Sequence, residues 1–183
     1  MANPRSQFSD KSQLRDTMRE RLQKLSPTER HACSLLICEK LLPFFSGMNS
    51  LALFAPMSTE PDLDLLWDHG ALVEHSLLSY PRREGKTLSF HLISALAELI
   101  PGRFGIREPT SGRSPKQLDL ILVPGLAFSA QGDRLGRGAG FYDRFLATLP
   151  QTTFKLGVCF EFQRVSSIPH EPHDVTMDAV VSG

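Results

Sequence analysis

The chain has 183 residues, of which 41% are hydrophobic and 22% charged, with 20 basic residues balanced by 20 acidic ones. That length supports one well-buried domain, expected to span residues 1–183 with 1–8 as a disordered tail, and the composition is that of an ordinary globular protein. Zero net charge excludes a global field drawing the chain to nucleic acid or anionic lipid.

No apolar run reaches membrane-spanning length, and the N-terminus lacks the apolar core of a signal peptide. The expectation is a cytoplasmic monomer with no membrane or nucleic-acid partner. Cys33, Cys38 and Cys159 form no C-x-x-C pair and read as reduced thiols.

Ser9 and Asp10 cap a first predicted helix running to about Leu25, with Leu14, Met18, Leu22 and Leu25 as its apolar stripe. Lys11, Arg15 and Arg19 recur at i, i+4 and i+8 beside that stripe, a spacing that alone describes a solvated basic face. Ser26, Pro27 and Glu29 announce a second helix by capping box and first-turn proline. It carries Ala32, Leu35, Leu36 and Cys38 toward Leu42, and Pro43 is expected to end it.

Residues 50–55 read as a short strand stopped by Pro56. A loop with Met57 and Glu60 follows, then a short helix from Asp62 through Trp67, stopped by Gly70. Ser76 to Tyr80 and Thr87 to Ile93 read as strands separated by residues 81–86. Residues 100–115, rich in proline, glycine and charge, read as a long loop.

The apolar run 118–123 reads as a buried strand leading to Arg134-Leu135-Gly136-Arg137-Gly138-Ala139-Gly140-Phe141-Tyr142-Asp143-Arg144. Alternating glycines free backbone N–H groups. Set beside arginines and the start of a helix over 141–149, they suit a phosphate. Asp143 on the first turn suits the metal that accompanies a nucleotide. The segment is not a dinucleotide fingerprint, because Phe141 stands where glycine is required. Gly85-Lys86-Thr87 does not complete a Walker A motif, because Tyr80 holds the leading glycine's place. A tight turn with strain-relieving glycines is the plainer alternative. A strand over 154–160 and a polar tail with a last short strand complete the chain. In His170-Glu171-Pro172-His173-Asp174, proline disfavours a helix presenting both histidines to a metal, so an ordinary surface turn is the default. Alternating strands and helices predict an α/β fold with a largely parallel sheet, whose ligands sit beyond the C-terminal strand ends. The Met57–Glu60 loop and the glycine turn both follow strands and are expected to converge there.

Taken in order, these segments resemble the 5-formyltetrahydrofolate cyclo-ligase family. The resemblance is carried by Lys11-Ser12-Gln13-Leu14-Arg15, by Phe54-Ala55-Pro56-Met57-Ser58-Thr59-Glu60 and by Tyr80-Pro81-Arg82. It continues through residues 102–109, 119–128 and 134–143 to His173-Asp174. It implies a single-domain α/β fold, a largely parallel sheet with helices on both faces, similar to the CoA-transferase-like fold. It also implies conversion of 5-formyltetrahydrofolate and ATP into 5,10-methenyltetrahydrofolate, ADP and phosphate, with Mg²⁺. By the same resemblance Lys11, Ser12, Gln13, Leu14 and Arg15 approach ATP, together with Arg134, Leu135, Gly136, Arg137, Gly138, Ala139, Gly140, Phe141 and Tyr142. Ala55, Met57 and Glu60 line the folate site with Arg137, Gly138, Ala139, Gly140 and Phe141. Asp143 and Asp174 bind Mg²⁺, and Arg137, Tyr142 and Lys11 act in catalysis. Ala139 stands where many relatives have glycine or lysine, Phe141 where tyrosine is common, and Thr176 where proline is often seen. A related protein with another role in cofactor metabolism, a kinase with a stable acceptor, and a non-catalytic folate- or nucleotide-binding protein use the same features differently.

Overall fold

The computed structural model describes residues 10–68, 77–102 and 105–183. The expected tail 1–8, the stop at Gly70, the strand start at Ser76, and Arg103 and Phe104 lie outside them.

Helix α1, Lys11–Lys24, starts where its cap requires: the Asp10 carboxylate accepts from the Gln13 N–H at 2.8 Å. Leu14, Met18 and Leu22 of the expected stripe form its buried face, while Leu25 is the C-cap and only partly buried. Helix α2, Pro27–Phe45, carries the full capping box between Ser26 and Glu29. Its buried face differs from the expected one. Ser34, Ile37, Cys38, Leu41 and Phe45 turn inward, while Leu35 and Leu36 are 38% and 51% exposed. Counting apolar residues alone misplaced the face, because Arg30 and Ser34 are drawn in by polar contacts with residues 57–62. Nor does Pro43 end the helix, which continues to Phe45. Its ring fits helical φ, and this near the end it costs the helix a single backbone bond.

The strands are β1 Ser50–Ala52, β2 Leu77–Glu84, β3 Thr87–Leu92, β4 Leu99–Pro101, β5 Arg107–Pro109, β6 Leu120–Pro124, β7 Ala127–Ser129, β8 Arg134–Leu135, β9 Phe154–Cys159, β10 Arg164–Val165 and β11 Ala179–Ser182. Six of them form the main sheet in the order β11-β9-β6-β1-β2-β3, all parallel except β3, which pairs antiparallel with β2. Leu120 and Leu122 face α1 and α2, whereas Ile121 and Val123 face the other side. There Phe90 and Leu146 pack, Leu146 from the short helix α3, Phe141–Leu146. Helices on both faces explain why β6 is an uninterrupted apolar run rather than an alternating one. A fully buried leucine such as Leu122 contributes about 1.5–3 kcal/mol by leaving water.

Four local expectations need correction. Residues 81–84 belong to β2 rather than to a loop. Pro81 is accommodated because the β1 partners end at Ser79, so no ladder bond is sought from its nitrogen. The 100–115 loop begins with a small antiparallel pair, β4 and β5, too short to leave a periodic signal. Helix α3 stops at Leu146 and not Leu149, and the Asp62-capped segment, Leu63–Trp67, is a 3-10 helix. Among the described residues no helix is long and apolar enough to cross a membrane.

Burial pushes the Cys38 thiol up to about 12, helped by the Asp62 carboxylate, and burial raises Cys159 to about 12 as well. Only Cys33 is partly accessible. A thiol reagent at pH 8 is therefore expected to titrate one cysteine in the native protein and three in denaturant. Rapid labelling of all three without denaturant would contradict the packing.

Candidate active site

The chain reverses its direction of travel across the sheet between β1 and β6: β2 and β3 lie to one side, β9 and β11 to the other. Parallel sheets bind ligands at such switch points. Just beyond the C-terminal ends of these two strands lies a cavity of about 190 Å³. Ala55, Met57 and Glu60 from the loop after β1 line it, with Pro124 at the end of β6 and Gly125 after it. Its other wall is the glycine segment, through Arg134, Gly136, Arg137, Ala139, Gly140, Phe141, Tyr142 and Asp143. The two expected loops do converge.

The glycine turn, residues 136–140, is held by arginines from α1 and by Arg144 just after it. Arg15 donates from Nε to the Gly136 carbonyl at 3.0 Å, and Arg19 from Nη2 to that of Arg137 at 3.3 Å. Arg144 donates from Nη2 to the Ala139 carbonyl at 2.8 Å. The carbonyls are thus tied down, while no described group accepts from the N–H groups of Arg137, Gly138, Ala139 or Gly140. Gly138 and Gly140 have φ of 109° and 66°, values that favour glycine. A row of unbonded amides in such a turn attracts an anion. Because α3 has only six residues, this turn and not a helix dipole supplies most of the attraction.

Arg134 is 6% exposed. It donates from Nη2 to Asp143 Oδ1 at 2.7 Å and from Nη1 to the Pro124 carbonyl at 3.2 Å, and lies 5.6 Å over the Tyr142 ring. Its Nε is buried with no acceptor among the described residues. Arg137 reaches across to Glu60, donating from Nη2 at 3.0 Å and from Nε at 3.3 Å to Oε1, and to Thr59 Oγ1 at 3.1 Å. Glu60 is 7% exposed, and its other oxygen accepts from the Met57 N–H at 3.0 Å. Burial and the Glu60 carboxylate push the Tyr142 phenol up, outweighing the pull of Arg134, so it remains a protonated donor at neutral pH. Two guanidiniums lie against the Phe141 ring, Arg83 at 4.9 Å and Arg144 at 5.4 Å from its centre.

The N-terminal expectations separate. Leu14 is fully buried, so its side chain belongs to the core, and Leu135 is buried in β8. Ser12 and Gln13 sit on the exposed first turn of α1. Lys11 points to the tail, donating to Asp174 Oδ2 at 2.6 Å and Glu171 Oε2 at 2.8 Å. Burial opposes its charge, but the two carboxylates outweigh burial and hold the ammonium above its usual range. For Asp174, burial is likewise outweighed, here by Lys11 and the Glu171 N–H, and the carboxyl is lowered. The pair therefore stabilises fully between about pH 4 and pH 10. It is lost as pH falls through the lowered Asp174 value, below 3.8, or rises through the raised Lys11 value, above 10.5.

Glu171, His173 and Asp174 bring ligand atoms within 4.8 Å of one another, and of the three only Asp174 was expected at a metal. Carboxylate oxygens here and at Asp143 are the donor type magnesium takes. Arg30 and Arg19 were also missed as residues that shape the site, and Arg144, though within the singled-out segment, was given no role there. The only sequence signal of Arg30 and Arg19 is a basic residue on a helix, and that signal is shared with solvated faces.

Comparison with known proteins follows the same lines. A model of the 5-formyltetrahydrofolate cyclo-ligase family matches residues 7–183. The chain is 33% identical to a 5-formyltetrahydrofolate cyclo-ligase of Mycolicibacterium smegmatis, with 98% of this chain and 95% of that protein covered. Among solved structures it is similar to the 5,10-methenyltetrahydrofolate synthetase of Aquifex aeolicus, at a TM-score of 0.82 and 34% identity over 94% of this chain and 89% of that one. The corresponding synthetase of Mycoplasma pneumoniae superposes with a TM-score of 0.77 at 25% identity, over 94% of this chain and 98% of that one.

Proposed function

Because the chain belongs to the 5-formyltetrahydrofolate cyclo-ligase family, we propose that it catalyses the reaction for which the family is named, with ATP as co-substrate. It is a ligase that converts 5-formyltetrahydrofolate into 5,10-methenyltetrahydrofolate. The observation that carries the finer reading is the glycine segment, with its carbonyls tied to Arg15, Arg19 and Arg144 and its amides left for an anion.

A formamide oxygen is a poor leaving group, which gives ATP its purpose. The formyl oxygen attacks the γ-phosphorus and the bond to ADP breaks, leaving a phosphorylated iminium. N10 adds to the activated carbon, and the carbon–oxygen bond then breaks with loss of a proton from N10 and release of phosphate. Such a transfer asks the protein mainly for position and charge neutralisation. Arg137 and the amides of Gly138, Ala139 and Gly140 meet the transferring phosphoryl group. Tyr142 donates a hydrogen bond rather than acting as a base. Glu60, Ala55 and Met57 hold the folate. Asp143 and Asp174 would hold Mg²⁺, which neutralises triphosphate charge when bound.

Glu60 and Arg137 both line the cavity and are paired with each other, so a substrate group that binds either one in the other's place parts them.

Lys11 contributes a charge-assisted contact to ATP. Lys11→Ala is expected to raise the KM for ATP about tenfold and to leave the KM for 5-formyltetrahydrofolate unchanged. An unaltered ATP dependence in steady-state assays would return Lys11 to the role of a tether for the tail. The function itself is tested by mixing protein, Mg-ATP and 5-formyltetrahydrofolate while following phosphate and the near-ultraviolet absorbance of the methenyl product. Both should rise together. Phosphate without absorbance would point to another acceptor, and neither signal to binding alone.

A further inference from the structure

Resting on the reading of Glu60 as a folate contact, we propose that Arg30 on α2 is a positioning residue that sets the Glu60 carboxylate for the substrate. Arg30 never touches that carboxylate. It holds the turn that carries it, donating from Nε to the Glu60 carbonyl at 2.7 Å and from Nη2 to the Met57 carbonyl at 3.4 Å, with Nη1 3.5 Å from Asp62 Oδ2. The turn is closed by the Glu60 N–H on the Met57 carbonyl at 2.9 Å, and the Glu60 side chain folds back onto the Met57 N–H. The backbone gripped by Arg30 therefore fixes where the carboxylate points.

Two more residues on the same helical face complete the grip. Ser34, with no exposed surface, donates to the Arg30 carbonyl at 2.6 Å and accepts from the Asp62 N–H at 2.8 Å. One turn on, the Cys38 thiol lies 3.6 Å from the Asp62 carbonyl. Residues 30, 34 and 38 form a polar stripe at i, i+4 and i+8 that faces a loop instead of water, which accounts for the rotated face of α2. Because Glu60 Oε1 also meets Arg137, a shift of this turn displaces the folate contact and the phosphoryl contact together. Displacements of about 1 Å cost as much as a hundredfold in rate. A lysine keeps the charge but cannot reproduce the guanidinium's fork.

The test compares Arg30→Lys and Arg30→Ala with the unaltered protein. The readouts are the KM for each substrate, kcat, Tm, and amide hydrogen exchange across residues 57–62. The expected result for Arg30→Lys is a KM for 5-formyltetrahydrofolate raised about tenfold, a kcat lowered about tenfold because the Arg137 contact shifts with the turn, a KM for ATP changed by less than about twofold, and faster exchange confined to 57–62. Arg30→Ala should move further in the same direction, and if it fails to fold, Arg30→Lys decides. Unchanged exchange at 57–62 overturns the proposal, as does a parallel rise of both KM values with exchange quickened throughout the chain. Were the unaltered protein to form no methenyl product, the folate reading would fall, while faster exchange confined to 57–62 in Arg30→Lys would still support the grip on the turn.

Discussion

Replacing Arg137 with alanine is expected to lower kcat for methenyl formation about a hundredfold, the loss of roughly 3 kcal/mol of transition-state stabilisation. The side chain is 38% exposed and joins the two halves of the cavity through Glu60. Its charge costs little to keep there and is free to follow a phosphoryl group. Folding should suffer far less. Glu60 retains its bond to the Met57 N–H, and water reaches the vacated position, so the cost is about 1 kcal/mol and a Tm lower by about 2–4 °C. Turnover near that of the unaltered protein, or a Tm loss large enough to explain the inactivity, would contradict the role.

Asp143→Ala should behave differently, because Asp143 is tied to structure as well as to chemistry. Its partner Arg134 has a side chain only 4% exposed, and removing the carboxylate leaves a buried guanidinium uncompensated. Breaking such a pair costs about 3–5 kcal/mol, which for a chain of this size lowers Tm by about 6–20 °C. Asp143→Asn keeps an oxygen to accept from Arg134 and removes the charge that attracts Mg²⁺. It should fold with a Tm within a few degrees of the unaltered protein while requiring about tenfold more Mg²⁺ for half-maximal turnover. If Asp143→Asn shows an unchanged Mg²⁺ dependence, Asp143 serves Arg134 alone.

What was legible in the sequence was local or strongly periodic. The Leu14, Met18 and Leu22 stripe, the Ser26–Glu29 capping box and the apolar run of β6 each follow from spacing or a short cap, and each was found where expected. The convergence of Glu60 with the glycine segment was also legible, because the chain leaves the parallel strands β1 and β6 on the way to each, although the antiparallel β7–β8 pair just before the glycines was not. Features set by distant partners were not. The α2 face turns toward a loop that satisfies Arg30 and Ser34, and Leu35 and Leu36 are left outside as a result. Pro81 sits in a strand because its neighbour has already ended. Strands β4, β5, β7, β8 and β10 are two or three residues long, below the length at which alternation can be read. Arg15 and Arg19 looked like a solvated face, and only the packed fold brings them to carbonyls more than a hundred residues away.

The account turns on the amide hydrogens of residues 137–140 meeting a triphosphate. Residue-resolved hydrogen exchange with and without a non-hydrolysable Mg-ATP analogue reads those positions directly. The expected result is slowing of exchange at Arg137, Gly138, Ala139 and Gly140 by about tenfold or more, with little change at residues 46–49, which precede β1 at the opposite end of the sheet. Saturating nucleotide with exchange at those four positions unaltered would mean that the triphosphate is held elsewhere.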